Sequence, residues 1–213
     1  MHKAIVFDID GTLTTEIAWP IVTNGLGGSI EVNDYWVREC EASRISLDQM
    51  EKKLVENWWT GQRATHEEFY RLCDSVKLRP DARDLVNYLK SKDYILTLIT
   101  GSFDMYAEII SRKLEIPEWY ACSILKWDGD NKLVGLDTVL DDSVRKLELL
   151  DQFCKRHNIE TGDCVSLGDG DNDVGLFKAT GKGIAVRTKF EAKGLENIAW
   201  KVVDNLSEVK NIL

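Results

Sequence analysis

Lys3-Ala4-Ile5-Val6-Phe7-Asp8-Ile9-Asp10-Gly11-Thr12 sets an uncharged run, rich in β-branched and aromatic residues, directly against two carboxylates. Such a run predicts a buried strand that ends at a reactive edge. In extended chain, Asp8 and Asp10 leave the same face with Cα atoms roughly 6.5 Å apart. Gly11 then frees the backbone to turn. Neighbouring carboxylates each disfavour the other's ionised form unless a cation or a shared proton relieves them, so the pair implies a metal or acid-base work. The competing reading is a strand followed by an ordinary Asp-Gly turn, and the rest of the chain decides between them.

A chain of 213 residues with 44% hydrophobic residues fits one domain with a sizeable insertion. Its formal net charge of -9 argues against a nucleic-acid surface, and it leaves a phosphorylated substrate dependent on local positive charge or metal. No run approaches a membrane span or a signal-peptide core, so no membrane partner and a cytoplasmic location are expected. The five cysteines are scattered without a Cys-x-x-Cys pair, which points to neither a disulfide framework nor a zinc site. His2, His66 and His157 are equally scattered and read as surface or cap residues.

From Glu16 to Lys77 the pattern is helical, with Trp19, Trp36, Trp58 and Trp59 among charged residues. We expect an inserted helical unit at 16–77 with the tryptophans as its own core, although one could face a substrate. Ser46-x-x-Gln49 and Thr65-x-x-Glu68 have capping-box form, and the Asn24–Ser29 glycine-rich break follows a helix, which predicts a turn rather than a phosphate loop. A helix from Pro80-Asp81 then leads to a strand at Tyr94–Ile99 that ends in Thr100-Gly101-Ser102. A helix over Asp104–Leu114 precedes a strand at Tyr120–Ile124 and a hairpin through Asp128-Gly129-Asp130-Asn131. A helix with apolar Val144, Leu147, Leu150 and Phe153 carries Lys146, and Cys164–Leu167 is a strand ending in Gly168-Asp169-Gly170-Asp171-Asn172-Asp173. A further short helix, strands at Gly183–Val186 and Trp200–Val203, and a terminal helix complete the pattern. Strands alternating with helices predict an α/β fold: a Rossmann-like, mostly parallel sheet with functional residues at the strands' carboxyl ends, where Asp8, Thr100 and Asp169 fall. Asp169-x-Asp171-x-Asp173 opens like a calcium loop, but Val174 and Thr180 stand where that loop needs Gly and Glu.

Taken together, these segments resemble the haloacid dehalogenase superfamily of phosphohydrolases, and within it the phosphoserine phosphatase-like branch. Asp8-Ile9-Asp10-Gly11-Thr12 looks like its first motif, Thr100-Gly101 its second, Lys146 its third, and Gly168-Asp169-Gly170-x-Asn172-Asp173 its fourth. The resemblance implies that Asp8 is the nucleophile that becomes an aspartyl-phosphate and that Asp10 is the acid-base group. It further implies that Asp8, the Asp10 carbonyl and Asp169 hold Mg²⁺, with Asp173 supporting the metal or Lys146. Thr100, Gly101, Gly11, Thr12 and Asn172 would surround the phosphate. A catalytic core at 1–15 and 78–213 and a helical cap at 16–77 follow from the same comparison, as does a small phosphorylated metabolite as partner, for a monomer or homodimer.

Two departures bear on the substrate. Gly11 and Ser102 stand where that branch usually has Ser and Gly. Its substrate-binding glutamate and arginine have as nearest counterparts Glu16, one position early, and Lys52. Lys52 is therefore expected to meet a carboxylate on the leaving portion, as in phosphoserine or a similar metabolite, with Lys53 as its alternative. A phosphomutase or phosphotransferase would share every motif. A phospho-acceptor signalling module is the non-enzymatic alternative, but it has neither a cap nor an acid-base aspartate two residues after the acceptor.

Overall fold

The computed structural model describes residues 3–189 and 194–213, so the reading of His2 lies outside the described residues. β1 (Ala4–Phe7) is buried at every position and lies parallel to both of its neighbours, β2 (Ile95–Phe103) and β5 (Cys164–Gly168). Ile5 and Phe7 join a core that includes Leu85 and Leu89 of α5 (Ala82–Ser91) and Ile110 of α6 (Asp104–Leu114). Ala4 and Val6 meet Leu149, Leu150 and Phe153 of α7 (Asp142–His157) and Leu176 of α8 (Val174–Thr180). A strand covered on both faces needs apolar side chains at successive positions, which is why the opening run does not alternate.

The sheet has seven strands in the order β4-β3-β2-β1-β5-β6-β7, where β3 is Glu118–Trp127, β4 Leu133–Asp137, β6 Gly183–Val186 and β7 Lys201–Val203. Every pair is parallel except the β3-β4 hairpin. The chain builds outward from β1 in one direction and then, from β5, in the other. That reversal leaves a crevice above the carboxyl ends of the central strands, the usual place for a ligand in such sheets.

Between β1 and β2 the chain forms α1 (Ala18–Gly25), α2 (Ile30–Glu41), α3 (Leu47–Trp58) and α4 (His66–Ser75). It leaves and rejoins the sheet side by side, since Thr15 N–H donates to Lys77 O and Arg79 N–H to Leu13 O. The Ser46/Gln49 capping box is complete, with both reciprocal bonds formed. Thr65 accepts from Glu68 N–H, whereas the Glu68 carboxylate turns to Arg71 instead of closing the box.

The structure revises five expectations. The tryptophans are not a separate core: fully buried Trp58 packs on Trp19 and Phe69 but also on Phe103 of β2, so the insertion and the sheet share one apolar cluster. β2 does not stop at Ile99 but runs on to Phe103, with a register shift against β3 between Thr100 and Phe103 that accommodates the polar residues. β3 is longer than expected, because it continues as one edge of the hairpin with β4. Val144 is 53% exposed, and the buried stripe of α7 starts at Lys146 and continues through Leu149, Leu150 and Phe153. The terminal helix is a short 3-10 segment, Leu206–Asn211.

Candidate active site

Four segments bring their polar residues to the crevice. β1 delivers Asp8, and the turn after it delivers Asp10. Gly11 sits at φ +79°, and a Cβ there would lie 2.1 Å from Asp169 Oδ2, so both backbone shape and space require glycine. β5 delivers Asp169, and the 3-10 turn after it delivers Asp173. Lys146 is carried in by α7: its spacing from Leu149, Leu150 and Phe153 puts it on the face that packs against the sheet, at the end nearest the crevice.

At the centre, wholly buried Lys146 Nζ donates to Asp8 Oδ1 at 2.7 Å and to Asp173 Oδ1 at 2.8 Å. Asp173 Oδ2 accepts from the N–H groups of Asp169 and Gly170, so both of its oxygens are engaged by the protein. Asp169 is held by Thr12 Oγ1 at 3.2 Å and Thr188 Oγ1 at 3.1 Å. One carboxylate oxygen each from Asp8, Asp169 and Asp173 lies within 4.8 Å of the others. Three carboxylates face one ammonium, and the charges are unequal. Burial pushes Asp8 well above the usual carboxylate range against the pull of Lys146, and burial together with the Asp173 charge raises Asp169 to about 6. Lys146 is shifted up as well: burial opposes its charged form, but the Asp173 and Asp8 carboxylates outweigh burial and keep the ammonium protonated. A hard divalent cation is the natural complement to an oxygen-only donor set with excess negative charge.

Asp10 stands apart from that cluster. Its Oδ1 accepts from Ala18 N–H at 2.8 Å, and burial raises it to about 6 although this hydrogen bond opposes the shift. Among the described residues the close carboxylate cluster is Asp8, Asp169 and Asp173, and the Asp10 carboxylate is outside it. Asp8, Asp10, Thr100, Gly101, Ser102, Asp169 and Asn172 line one cavity of about 310 Å³. Thr100 Oγ1 accepts from Ser102 N–H at 3.1 Å, which leaves its own proton for a ligand. A Cβ on Gly101 would meet Asp142 Oδ2 at 2.3 Å, so glycine lets β2 pass close beneath α7.

Other expected residues fall elsewhere. Thr12 is fully buried with its hydroxyl turned to Asp169, and the Gly11 carbonyl accepts from Arg79 Nε. These bonds use the Thr12 side chain and the Gly11 carbonyl, not the backbone N–H groups of the turn that were expected at the phosphate. Glu16 is half-buried outside the cavity wall, and Ile17 lines the wall in its place. Lys52 is a correction: it is 68% exposed, pairs with Asp48 one turn earlier, and borders a separate groove with Lys126 and Asp137. The face of α3 that reaches the crevice carries Met50 and Leu54, and Lys52 lies on the other side. Lys53 is likewise turned away, paired with Glu56 and set over the Trp36 ring. Thr188, Asp142, Ile17 and Trp19 belong to the site or its support without any motif to mark them.

Comparison with known proteins supports the same grouping. Residues 2–181 match the family model described as haloacid dehalogenase-like hydrolase. The chain is 27% identical over 189 residues to a phosphoserine phosphatase of Methanocaldococcus jannaschii, covering 88% of this chain and 86% of that one. It is 25% identical to the phosphoserine phosphatase of Campylobacter jejuni subsp. doylei over the full length of both. Among solved structures, a substrate-bound phosphoserine phosphatase superposes with a TM-score of 0.78 at 24% identity, covering 100% of this chain and 99% of the other, which establishes the fold. With the match to the family model spanning all four segments that build the crevice, the chain belongs to the haloacid dehalogenase-like hydrolase family.

Proposed function

We propose that the chain is a Mg²⁺-dependent phosphatase that hydrolyses a small phosphomonoester through an aspartyl-phosphate on Asp8. The observation that carries the proposal is the division of labour between the two aspartates of the opening turn: Asp8 is locked against buried Lys146, and Asp10 is separately seated with a raised pKa of about 6. Lys146 holds Asp8 Oδ1, which leaves the second carboxylate oxygen to attack phosphorus. As that bond forms and the bond to the leaving oxygen breaks, Asp10 gives its proton to the leaving group. It then takes a proton from the water that attacks the phosphorus and frees Asp8. The Thr100 hydroxyl donates to a phosphoryl oxygen, the sort of preorganised contact whose loss costs on the order of 10²–10³ in rate. Asp8 and Asp169, with the Asp10 carbonyl, would hold the Mg²⁺, while Asp173 holds Lys146 and the β5 turn. The ion supplies the charge that lets a phosphate dianion approach this acidic floor.

The insertion serves as the cap over this floor, and a closed cap shields the reacting groups from bulk solvent while leaving room for the one attacking water. The names of the relatives bring phosphoserine forward among the esters to assay. The test is phosphate release from a panel of small phosphomonoesters with and without Mg²⁺, for the wild type and Asp8→Asn. Mg²⁺-dependent release by the wild type alone supports the reading, and equal release by Asp8→Asn overturns it.

A further inference from the structure

The phosphate floor opens, past Trp19, Gly101 and Asp142, into a second cavity of about 280 Å³ beneath the insertion. A leaving group bound to a phosphate on the floor has to enter it. Its wall is mainly apolar: Trp19, Ile30, Val37, Met50, Leu54 and Leu140 all contribute. The uncharged polar side chains of the wall, Thr23, Asn33 and Thr138, are hydrogen-bonded within the protein, Thr138 to the Ser123 hydroxyl at 2.7 Å. Thr23 Oγ1 accepts from Trp58 Nε1 and from Asn33 Nδ2, both at 2.9 Å, and Asn33 Oδ1 accepts from Asn57 Nδ2 at 2.7 Å. Among the described residues the ionisable members of this second wall are Asp34 and Asp142, both acidic, and no described lysine or arginine lines either cavity.

On the phosphatase reading above, we infer that the preferred ester has an uncharged, apolar leaving portion, such as an alkyl or aryl alcohol, rather than an amino acid. Two forces act in that direction. Each methylene that leaves water for this wall gains about fourfold in affinity, the factor that corresponds to roughly 0.8 kcal/mol. A carboxylate in the same place loses its hydration, meets no cation among the described lining residues and faces Asp34 and Asp142, and buried charge without a partner is strongly disfavoured. Lys52, the cation expected to answer such a carboxylate, lies outside the cavity on the outer side of α3.

The test uses the full chain with Mg²⁺ and compares kcat/KM for methyl, propyl and pentyl phosphate, phenyl phosphate and L-phosphoserine. The alkyl esters share nearly the same leaving-group acidity, so differences among them report the cavity. The expected result is a rise of about fourfold per methylene until the cavity is filled, with phosphoserine at least about 30-fold below propyl phosphate. A flat series, or phosphoserine equal to or above propyl phosphate, overturns the inference while leaving the phosphatase reading intact. No turnover of any ester overturns both. Val37→Arg, at a half-buried wall position, adds the missing cation and should raise phosphoserine turnover about tenfold while lowering that of pentyl phosphate. If both esters shift in the same direction, the wall is not the selector; should the variant fail to fold, the wild-type series decides.

Discussion

The crevice has a floor and a roof that are built on opposite principles. The floor gathers Asp8, Asp169 and Asp173 about one buried lysine and seats Asp10 beside them on Ala18 N–H, so that each carboxylate is fixed by a named donor. The roof is a mainly apolar wall whose uncharged polar groups are hydrogen-bonded within the protein. Charge on the floor can be reached only by groups fixed within tenths of an ångström. Apolar contact is non-directional and tolerates exchange of side chains. On the proposed reading, reaction type belongs to the floor and choice of ester to the roof.

Removing the counter-charge from the floor should have the largest effect. Complete chelation of divalent ions is expected to abolish phosphate release, with full recovery on adding Mg²⁺; release that survives chelation would mean the floor works without the ion. Lys146→Met is expected next, since it strands Asp8 and Asp173 without a partner. Turnover should be lost, and unfolding in denaturant should show a deficit of about 3–5 kcal/mol at neutral pH. Carboxylates whose folded pKa is raised, as that of Asp8 is, stabilise the fold below their unfolded pKa and lose that contribution as the pH rises through the folded value. The deficit should therefore shrink as the pH is lowered, and a deficit independent of pH would assign it to lost packing instead.

Gly101→Ala tests the seam between floor and roof. The added Cβ must displace Asp142 or β2, so kcat/KM should fall by about 10–100-fold for every ester alike. A fall confined to large esters would move Gly101 to the roof. The smallest effect is expected from Lys52→Ala: an exposed pair on the outer face of α3 should leave kcat/KM unchanged within about twofold for all esters. A selective loss with carboxylate-bearing esters would return Lys52 to the substrate and erase the distinction between the two walls.

The floor was legible in the sequence because its chemistry constrains residue type and order together. A continuous apolar run ending in Asp8-Ile9-Asp10-Gly11 leaves few physical alternatives, and the same grammar recurs at Thr100-Gly101 and at Gly168–Asp173. Even there, a motif gives proximity and not direction: nothing in it says that the Thr12 hydroxyl turns to Asp169. Lys146 could have been marked without any family: it stands at the position where the stripe of Leu149, Leu150 and Phe153 requires an apolar residue. The roof was not legible. Lys52 and Met50 are two positions apart on one helix, and only the packing of α3 decides which of them reaches the crevice. Thr188 reaches Asp169 from beyond β6, and no local pattern announces such a contact.

The most direct measurement of the central claim is to trap the covalent adduct. The wild type, mixed with Mg²⁺ and a phosphomonoester that it turns over, is quenched in acid within one turnover, reduced with borohydride and mapped by peptide mass spectrometry. Reduction of an aspartyl-phosphate leaves homoserine, and the account predicts it at position 8 alone, with none in Asp8→Asn. Homoserine at another aspartate, or phosphate release during the first turnover with no adduct at any aspartate, would contradict it.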